Sequence, residues 1–581
     1  MKRVDEALRD LSRRRYATWL AAPLSPEERS ELDGLSEADV FDRFYRHLAF
    51  GTGGMRGELG LGTNRMNVYV VRRATAGLAA ALREQVAGRR PRVVIAYDSR
   101  RGSRRFAEAT AEVLAAFDVE ALLFPEVTPT PELSFAVRAL RADAGVVITA
   151  SHNPPEYNGY KVYGPDGVQI TPEVAERITA HMAAYDDVFR VPVRPLSEAR
   201  AAGLVRDVGP EIEADYLARV AGLGFRAPDD PAKGALSIVY TPLHGAGARP
   251  VLEALRRAGF ARVHVVAAQK EPDGDFPTVA VPNPEEPEAF RLALAEARRL
   301  GADLVLATDP DVDRVGAAVR TGDGAYVLLN GNAIGALLLD YLIAGRRARG
   351  TLPAGGAVIK TIVTGDLGKA IAEANGLRVY EVLTGFKFIG ALIGALEREG
   401  VPFVFGYEES YGYLAGDFVR DKDAVQAAVL LAEAAAHHKA EGRTLVDALA
   451  ALHQTYGAHA ERLRSLTLKG AEGAARIGRM MAALRSAPPK ALAGLPVVEI
   501  EDYRAGAVLD AAGRPLRKLA LPQADVIKVR LEGGAWAAVR PSGTEPKIKV
   551  YVGAVARERE EAEARAEALA GALVERLEAV P

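Results

Sequence analysis

Three carboxylates recur at alternate positions in Asp309-Pro310-Asp311-Val312-Asp313-Arg314, directly after the apolar run Leu304-Val305-Leu306-Ala307. A turn at the end of a strand can converge such carboxylates on one hard cation, and an all-oxygen donor set suits magnesium. Without a cation, three carboxylates so close repel one another. The EF-hand alternative fails, because Arg314 and Arg320 stand where that loop needs glycine and glutamate; a solvated acidic turn stays open. A second candidate is Ser151, in Thr149-Ala150-Ser151-His152-Asn153-Pro154-Pro155 and the continuation to Gly159-Tyr160-Lys161. Prolines and glycine stiffen this segment, which is read here as one loop that presents the serine hydroxyl. His152 and Lys161 can supply proton transfer and positive charge to a phosphorylated hydroxyl. Taken alone, Ser151 is better explained as a helix cap or tight turn. No Gly-x-Ser-x-Gly elbow is present, which disfavours a hydrolase triad.

Two further segments carry polar groups between turn residues. Gly406-Tyr407-Glu408-Glu409-Ser410-Tyr411-Gly412-Tyr413 follows the apolar run 401–405 and suits sugar hydroxyls, although a hairpin turn explains it about as well. Upstream, Thr384-Gly385-Phe386-Lys387 sets a lysine beside the end of another strand. Arg540-Pro541-Ser542-Gly543-Thr544-Glu545-Pro546 combines a guanidinium, two hydroxyls and a glycine, the makings of a phosphate nest. It lacks the Gly-Lys-Ser/Thr ending and following helix of a Walker loop, and a plain hairpin is its alternative. Ser151 with Asp309, Asp311 and Asp313 would form a phosphoryl-transfer centre. A second phosphate grip far along the chain implies a substrate that keeps one phosphate while another moves.

The elements that must position these groups alternate. Positions 1–45 predict charged helices and 51–57 a glycine-rich turn. Strands are predicted at 93–97, 119–124 and 145–149, with helices at 103–116 and 131–142 between them. The rhythm restarts with strands at 237–240, 263–267 and 304–307, and again at 357–361, 378–382 and 403–405. Strand and helix in alternation predict βαβ units and mostly parallel sheets. After about 460 the strands at 497–500, 526–531, 535–539 and 548–552 are joined by short links, and 557–577 predicts a charged helix, hence a smaller antiparallel α+β domain. The expected organisation is an α/β class chain of three similar α/β domains (1–210, 211–325 and 326–458) and an α+β domain (459–581).

Composition narrows the partners. A chain of 581 residues is too long for one core, and its 49% apolar and 26% charged content is that of an ordinary soluble protein. A net charge of −2 gives no footprint for nucleic acid or an anionic membrane. Cysteine is absent, so disulfides and thiolate chemistry are excluded. No apolar run approaches a membrane span, and the charged N-terminus is unlike a signal peptide, so a cytoplasmic location is expected. Monomer and dimer are not separated.

The serine, aspartate and Arg540–Pro546 segments, in this order, resemble the α-D-phosphohexomutase superfamily over most of the chain. That resemblance implies three α/β domains and a TBP-like fourth around a central cleft. It implies Ser151 as phosphoserine, and Asp309, Asp311 and Asp313 as ligands of one Mg²⁺ together with the serine phosphate. Arg56, in Gly53-Gly54-Met55-Arg56-Gly57, matches an active-site arginine, Lys161 a lysine placed for proton transfer, and His152 flanks the serine. Glu408 and Ser410 match a sugar-binding loop, with Arg314, Thr384, Gly385 and Lys387 assigned to substrate. Arg540, Ser542, Gly543 and Thr544 match a loop gripping the substrate phosphate. The long chain, its helical extension, Gly406-Tyr407-Glu408-Glu409-Ser410 and Thr241-Pro242-Leu243-His244-Gly245 look most like the bacterial phosphoglucomutase/phosphopentomutase branch. The implied chemistry is interconversion of glucose 1-phosphate and glucose 6-phosphate, with glucose 1,6-bisphosphate as intermediate and activator. Pentose and mannose phosphates are the alternative substrates, and a phosphoserine phosphatase or a non-catalytic sensor are the rival classes.

Overall fold

The computed structural model describes residues 2–51, 53–468, 470–542 and 547–581. The chain forms two compact units, Met1–Leu329 with Gly390–Arg398 and Tyr411–Ala440, and Asn330–Ile389 with Glu399–Ser410 and Glu441–Pro581. Among the described residues no helix is long and apolar enough to cross a membrane.

In the first unit, Arg92–Tyr97 is apolar on both faces and is buried over nearly its whole length, as a parallel strand covered on both sides must be. Helices Ser103–Ala116 and Thr130–Ala139 pack against it, and Glu120–Leu123 and Ala144–Ile148 flank it in parallel. The sheet continues with two antiparallel strands, Tyr157–Tyr163 beside Ala144–Ile148 and Gly54–Glu58 at the edge. These correct the expected turn at 51–57 and the expected single loop at 151–161: Arg56 and Lys161 stand in paired strands. Their sequences, Gly-Met-Arg-Gly-Glu and Tyr-Asn-Gly-Tyr-Lys-Val-Tyr, show no clean apolar alternation, so tertiary pairing decides them. Ahead of the sheet, helices Pro26–Asp33 and Glu37–Phe44 each open with a capping box, and Trp19 packs edge-on against Phe44, Tyr69 and Phe189.

A second sheet in this unit has the order Tyr326–Leu329, Val315–Arg320, Leu304–Thr308, Ser237–Thr241, Arg262–Val265. Val315–Arg320 returns antiparallel from the aspartate segment, which is therefore the turn of a hairpin. Helix Ala424–Ala440, late in sequence, packs on Pro210–Ala221, Pro231–Ala235 and Ala248–Arg257. Its Glu433 pairs with Lys233 at 2.6 Å, both side chains being sealed from solvent.

In the second unit, Ala357–Thr361 lies parallel between Arg378–Val382 and Phe403–Glu408. The last strand runs through Glu408, beyond the predicted end at 405. The C-terminal sheet is antiparallel in the order Ala458–Thr467, Lys547–Ala556, Trp536–Pro541, Ile527–Leu531, Leu495–Asp502, Ala507–Asp510, Pro515–Lys518. Helices Gly470–Ser486 and Arg559–Glu578 supply Met480, Met481, Leu569 and Leu573 to its core. The ten-residue strand Ala458–Thr467 and helix Gly470–Ser486 went unpredicted.

Candidate active site

The first unit brings Ser151, His152, Lys161 and the three aspartates together. Ser151 follows strand Ala144–Ile148, is 3% exposed, and has the left-handed φ of 51° rare outside glycine. Its Oγ donates to Asp309 Oδ2 at 2.7 Å and lies 3.1 Å from His152 Nδ1. Asp309 Oδ1 accepts from the backbone N–H groups of Asp313 (3.1 Å) and Arg314 (3.0 Å), which closes the turn around its carboxylate. Gly245 lets this turn approach: a Cβ there would lie 2.3 Å from Pro310 Cα. Thr130 donates its backbone N–H to the Asp311 carbonyl and its hydroxyl to Asp311 Oδ2, both at 2.8 Å.

All three carboxylates are buried, and one oxygen from each lies within 4.8 Å of the others. Burial, then Asp311 and Asp313, push the Asp309 carboxyl well above its ordinary range. Burial also opposes ionisation of Asp313, but Lys422, Lys161 and Arg314 hold it far below the usual carboxylate range. Lys161 Nζ donates to Asp311 Oδ2 at 2.6 Å and Asp313 Oδ2 at 3.3 Å. Burial lowers the Lys161 ammonium less than Asp311 and Asp313 raise it, so it stays charged. Asp311 Oδ1 and Asp313 Oδ1 are buried without a hydrogen-bond partner among the described residues. Such groups call for an ion or a donor, and convergent carboxylate oxygens fit a hard divalent cation.

Arg56 faces this centre from its edge strand, with Nη1 donating to Asn153 Oδ1 at 2.5 Å. Its strand pairs Arg56 with Gly159, where a Cβ would lie 2.5 Å from the Thr149 carbonyl. Burial, then Arg314 and Arg56, hold the His152 imidazole neutral, well below its usual pKa. Arg314 pairs with Glu285 and lies at the margin of the aspartate turn. Two contacts were missed from sequence. Lys422 Nζ reaches Asp313 Oδ2 at 3.2 Å and Asp421 Oδ1 at 3.1 Å, and Thr130 holds Asp311. The charged run Arg420-Asp421-Lys422-Asp423 was the available signal for Lys422; Thr130 offered none.

The second unit holds the remaining candidates. Glu408, at the end of Phe403–Glu408, accepts from the Gly385 N–H at 2.9 Å, so these two lie together. Gly385 has φ 119°, a conformation that favours glycine. Thr384 precedes it with a buried hydroxyl lacking a partner among the described residues, and Lys387 opens helix Phe386–Arg398. Ser410 follows Glu408 in the connection out of the strand. Arg540 lies in strand Trp536–Pro541, and the Ser542 N–H donates to the Lys547 carbonyl at 2.8 Å. Gly543 and Thr544 lie outside the described residues.

This order of elements, with a serine and a tri-aspartate turn at strand ends, defines the phosphohexomutase class. Family profiles agree over most of the chain: Phosphoglucomutase/phosphomannomutase alpha/beta/alpha domain I matches residues 47–188, domain II 214–322, domain III 330–456 and the C-terminal domain 487–572. The chain belongs to the phosphoglucomutase/phosphomannomutase family. It is 42% identical over 505 residues to a curated phosphoglucomutase of Staphylococcus epidermidis, covering 87% of this chain and 90% of that protein. It is 40% identical over 518 residues to one of Staphylococcus aureus, covering 89% and 91%. The open form of Paramecium pp63/parafusin, a phosphoglucomutase, superposes with a TM-score of 0.67 at 17% identity over 92% of this chain and 95% of that one, and so has the same fold.

Proposed function

We propose that this protein interconverts glucose 1-phosphate and glucose 6-phosphate, with Ser151 lending and recovering the phosphate. The observation that carries this reading is the 2.7 Å contact of a buried, conformationally constrained Ser151 hydroxyl with Asp309, inside a triad of carboxylates. The glucose assignment is supported by the named activity of relatives at 40–42% identity.

In the first transfer, the phosphorus–Ser151 Oγ bond breaks as a bond forms to the free 6-hydroxyl of glucose 1-phosphate. The serine oxygen gains a proton and the sugar hydroxyl loses one; His152 and Lys161 are the neighbouring groups able to exchange them. The product of this half-reaction is glucose 1,6-bisphosphate. After reorientation its 1-phosphate passes to Ser151 Oγ, the proton movements reverse, and glucose 6-phosphate remains. Arg56, Lys161 and Lys422 supply positive charge for the phosphoryl oxygens. Asp309, Asp311 and Asp313 would hold Mg²⁺, which supplies charge neutralisation to the phosphoryl group when bound. In the second unit we assign Glu408 and Ser410, with Thr384, Gly385 and Lys387, to the sugar. We assign Arg540, Ser542, Gly543 and Thr544 to the phosphate that is not moving, and Arg314 to substrate beside the aspartate turn. The family domains further support the organisation 1–210, 211–325, 326–458 and 459–581.

A coupled isomerisation assay with magnesium and glucose 1,6-bisphosphate tests the proposal. Ser151→Ala should lower kcat on the order of 10⁴-fold or more with the fold intact. Near-normal turnover by that variant would sink it. Comparing glucose, ribose and mannose 1-phosphates should rank glucose first by kcat/KM.

A further inference from the structure

Strand Arg92–Tyr97 runs out into Asp98 and Arg100, charged residues only 1% and 2% exposed that the scheme above does not use. Arg100 spends its guanidinium on carbonyls. Nη1 donates to those of Pro154 (2.8 Å) and Tyr157 (3.0 Å), and Nη2 to those of Ser151 (2.6 Å) and Asn153. One side chain therefore grips the Ser151–Tyr157 segment at four points along its length. Asp98 braces the grip. Its Oδ1 accepts from the Arg100 N–H (2.9 Å) and the Ser103 hydroxyl (2.7 Å), and its carboxylate pairs with Arg100 Nε at 3.4 Å. Its Oδ2 accepts from the Thr149 hydroxyl at 2.6 Å, and that hydroxyl oxygen in turn accepts from the Ser151 N–H at 2.8 Å.

The arrangement also reaches the module that carries the aspartates. The Arg100 guanidinium lies 5.0 Å from the Phe276 ring centroid, and its backbone bridges to Gly274, where a Cβ would meet Arg101 N at 2.5 Å. So one residue ties the serine loop to the 274–276 segment, whose Phe276 shares a core with Val305 of the strand that leads to Asp309.

Two physical arguments separate this from ordinary packing. A buried arginine is costly to desolvate, and surface-directed pairing would avoid that cost. Here nearly every donor is directed at one loop. That loop also needs holding: a serine in the left-handed region is disfavoured by about 1 kcal/mol or more and persists only where its surroundings over-determine it. Ser151 at φ 51° is such a residue, and its hydroxyl must meet Asp309 in a fixed orientation.

We propose that Arg100, braced by Asp98, is the positioning residue of the Ser151 loop: its four-carbonyl grip sets the serine oxygen for phosphoryl transfer without touching the substrate. The inference rests on the reading of Ser151 as nucleophile and assigns the group that orients it.

Arg100→Lys tests it. Lysine keeps the charge but loses the planar fork of donors. The expected result is a folded protein by circular dichroism and thermal melting. Its kcat should fall about 10²-fold, the loss that a misplacement near 1 Å can cause. The KM for glucose 1-phosphate should change by less than about 3-fold, since uniform binding is untouched. Intact mass spectrometry should show transfer of phosphate from glucose 1,6-bisphosphate to Ser151 slowed by a similar factor. A merely structural role would lower the amount of active protein and leave the transfer rate per folded molecule unchanged. A folded Arg100→Lys with normal kcat, or with the loss entirely in KM, overturns the inference. Should that variant fail to fold, the near-isosteric Asp98→Asn decides. It removes the charge that braces Arg100 Nε and should lower kcat about 10-fold at constant KM; normal kcat overturns the inference. Ser151→Ala is assayed alongside. An active Ser151→Ala removes the nucleophile reading itself, whereas an inactive one beside a normal Arg100→Lys removes only the role of Arg100.

Discussion

Asp313 draws two ammonium groups from different parts of the sequence, Lys161 at 3.3 Å and Lys422 at 3.2 Å. Each pairs also with a second carboxylate, Asp311 or Asp421, and Asp421 is fixed by the Tyr163 hydroxyl at 2.8 Å. Positive charge held this firmly suits a phosphoryl group that gains negative charge at its oxygens during transfer. Lys422→Met is therefore expected to lower kcat/KM by about 10²-fold in steady-state assays, with secondary structure unchanged. A variant as active as the parent would remove Lys422 from the site. At this scale the sequence was most informative where identity alone implies chemistry. Asp309, Asp311 and Asp313 were readable because three carboxylates at alternate positions after a buried strand repel one another unless a cation or bases offset them, which leaves a solvated turn as the weaker explanation. Lys422 was not, because a charged run is usually solvated, and its burial depends on helix Ala424–Ala440 docking on helices far earlier in the chain.

Elements with one dominant face were legible, and those defined by partners were not. Helix Ser103–Ala116 and strands Ala357–Thr361 and Arg378–Val382 lie where their apolar patterns put them. Gly54–Glu58, Tyr157–Tyr163 and Ala458–Thr467 are polar and largely define themselves by pairing with a neighbour. The second unit shows a related hidden device. Glu381, on Arg378–Val382, faces Lys360 at 3.2 Å, Arg530 at 3.4 Å and Lys528 at 3.9 Å, and both lysines are fully buried. Lys528 also donates to the Ile362 carbonyl at 2.6 Å and lies over Trp536, joining the C-terminal sheet to the 357–361 strand region. Burial brings the Lys528 pKa down to about 8 against the opposing pull of Glu381, with Lys360 and Arg530 adding to the fall. Lys360 keeps Asp366 at 2.9 Å and Arg530 keeps Glu501 at 2.6 Å, so Glu381→Gln chiefly leaves the buried Lys528 short of counter-charge and should destabilise the second unit by about 3 kcal/mol in urea denaturation. An unchanged midpoint would show that the cluster is not holding these elements together.

For the whole molecule, the near-neutral net charge of −2 conceals strongly perturbed interior groups. Glu132, 1% exposed on helix Thr130–Ala139, has its pKa pushed up to about 8 by burial and then by Glu213 and Asp423, against Arg249. Asp423 is likewise raised, to about 6, by burial. A carboxyl whose folded pKa lies above its unfolded value binds more protons when folded. The stability contributed by protonated Glu132 is thus fully present below its unfolded pKa of 4.5 and is lost as pH rises through about 8. Stability should therefore decline from pH 5 to pH 8, and Glu132→Gln should make that decline shallower in urea titrations at the two pH values. A parallel pH dependence in parent and variant would contradict this.

The central claim, that Ser151 lends and recovers phosphate, is tested most directly by intact mass spectrometry of the protein treated with glucose 1,6-bisphosphate and magnesium, then chased with glucose 1-phosphate. The account predicts gain of one phosphoryl group, located on Ser151 by peptide fragmentation, and its loss during the chase to sugar bisphosphate. Absence of phosphate from Ser151 in a turning-over enzyme, or its discharge as inorganic phosphate, would contradict the account.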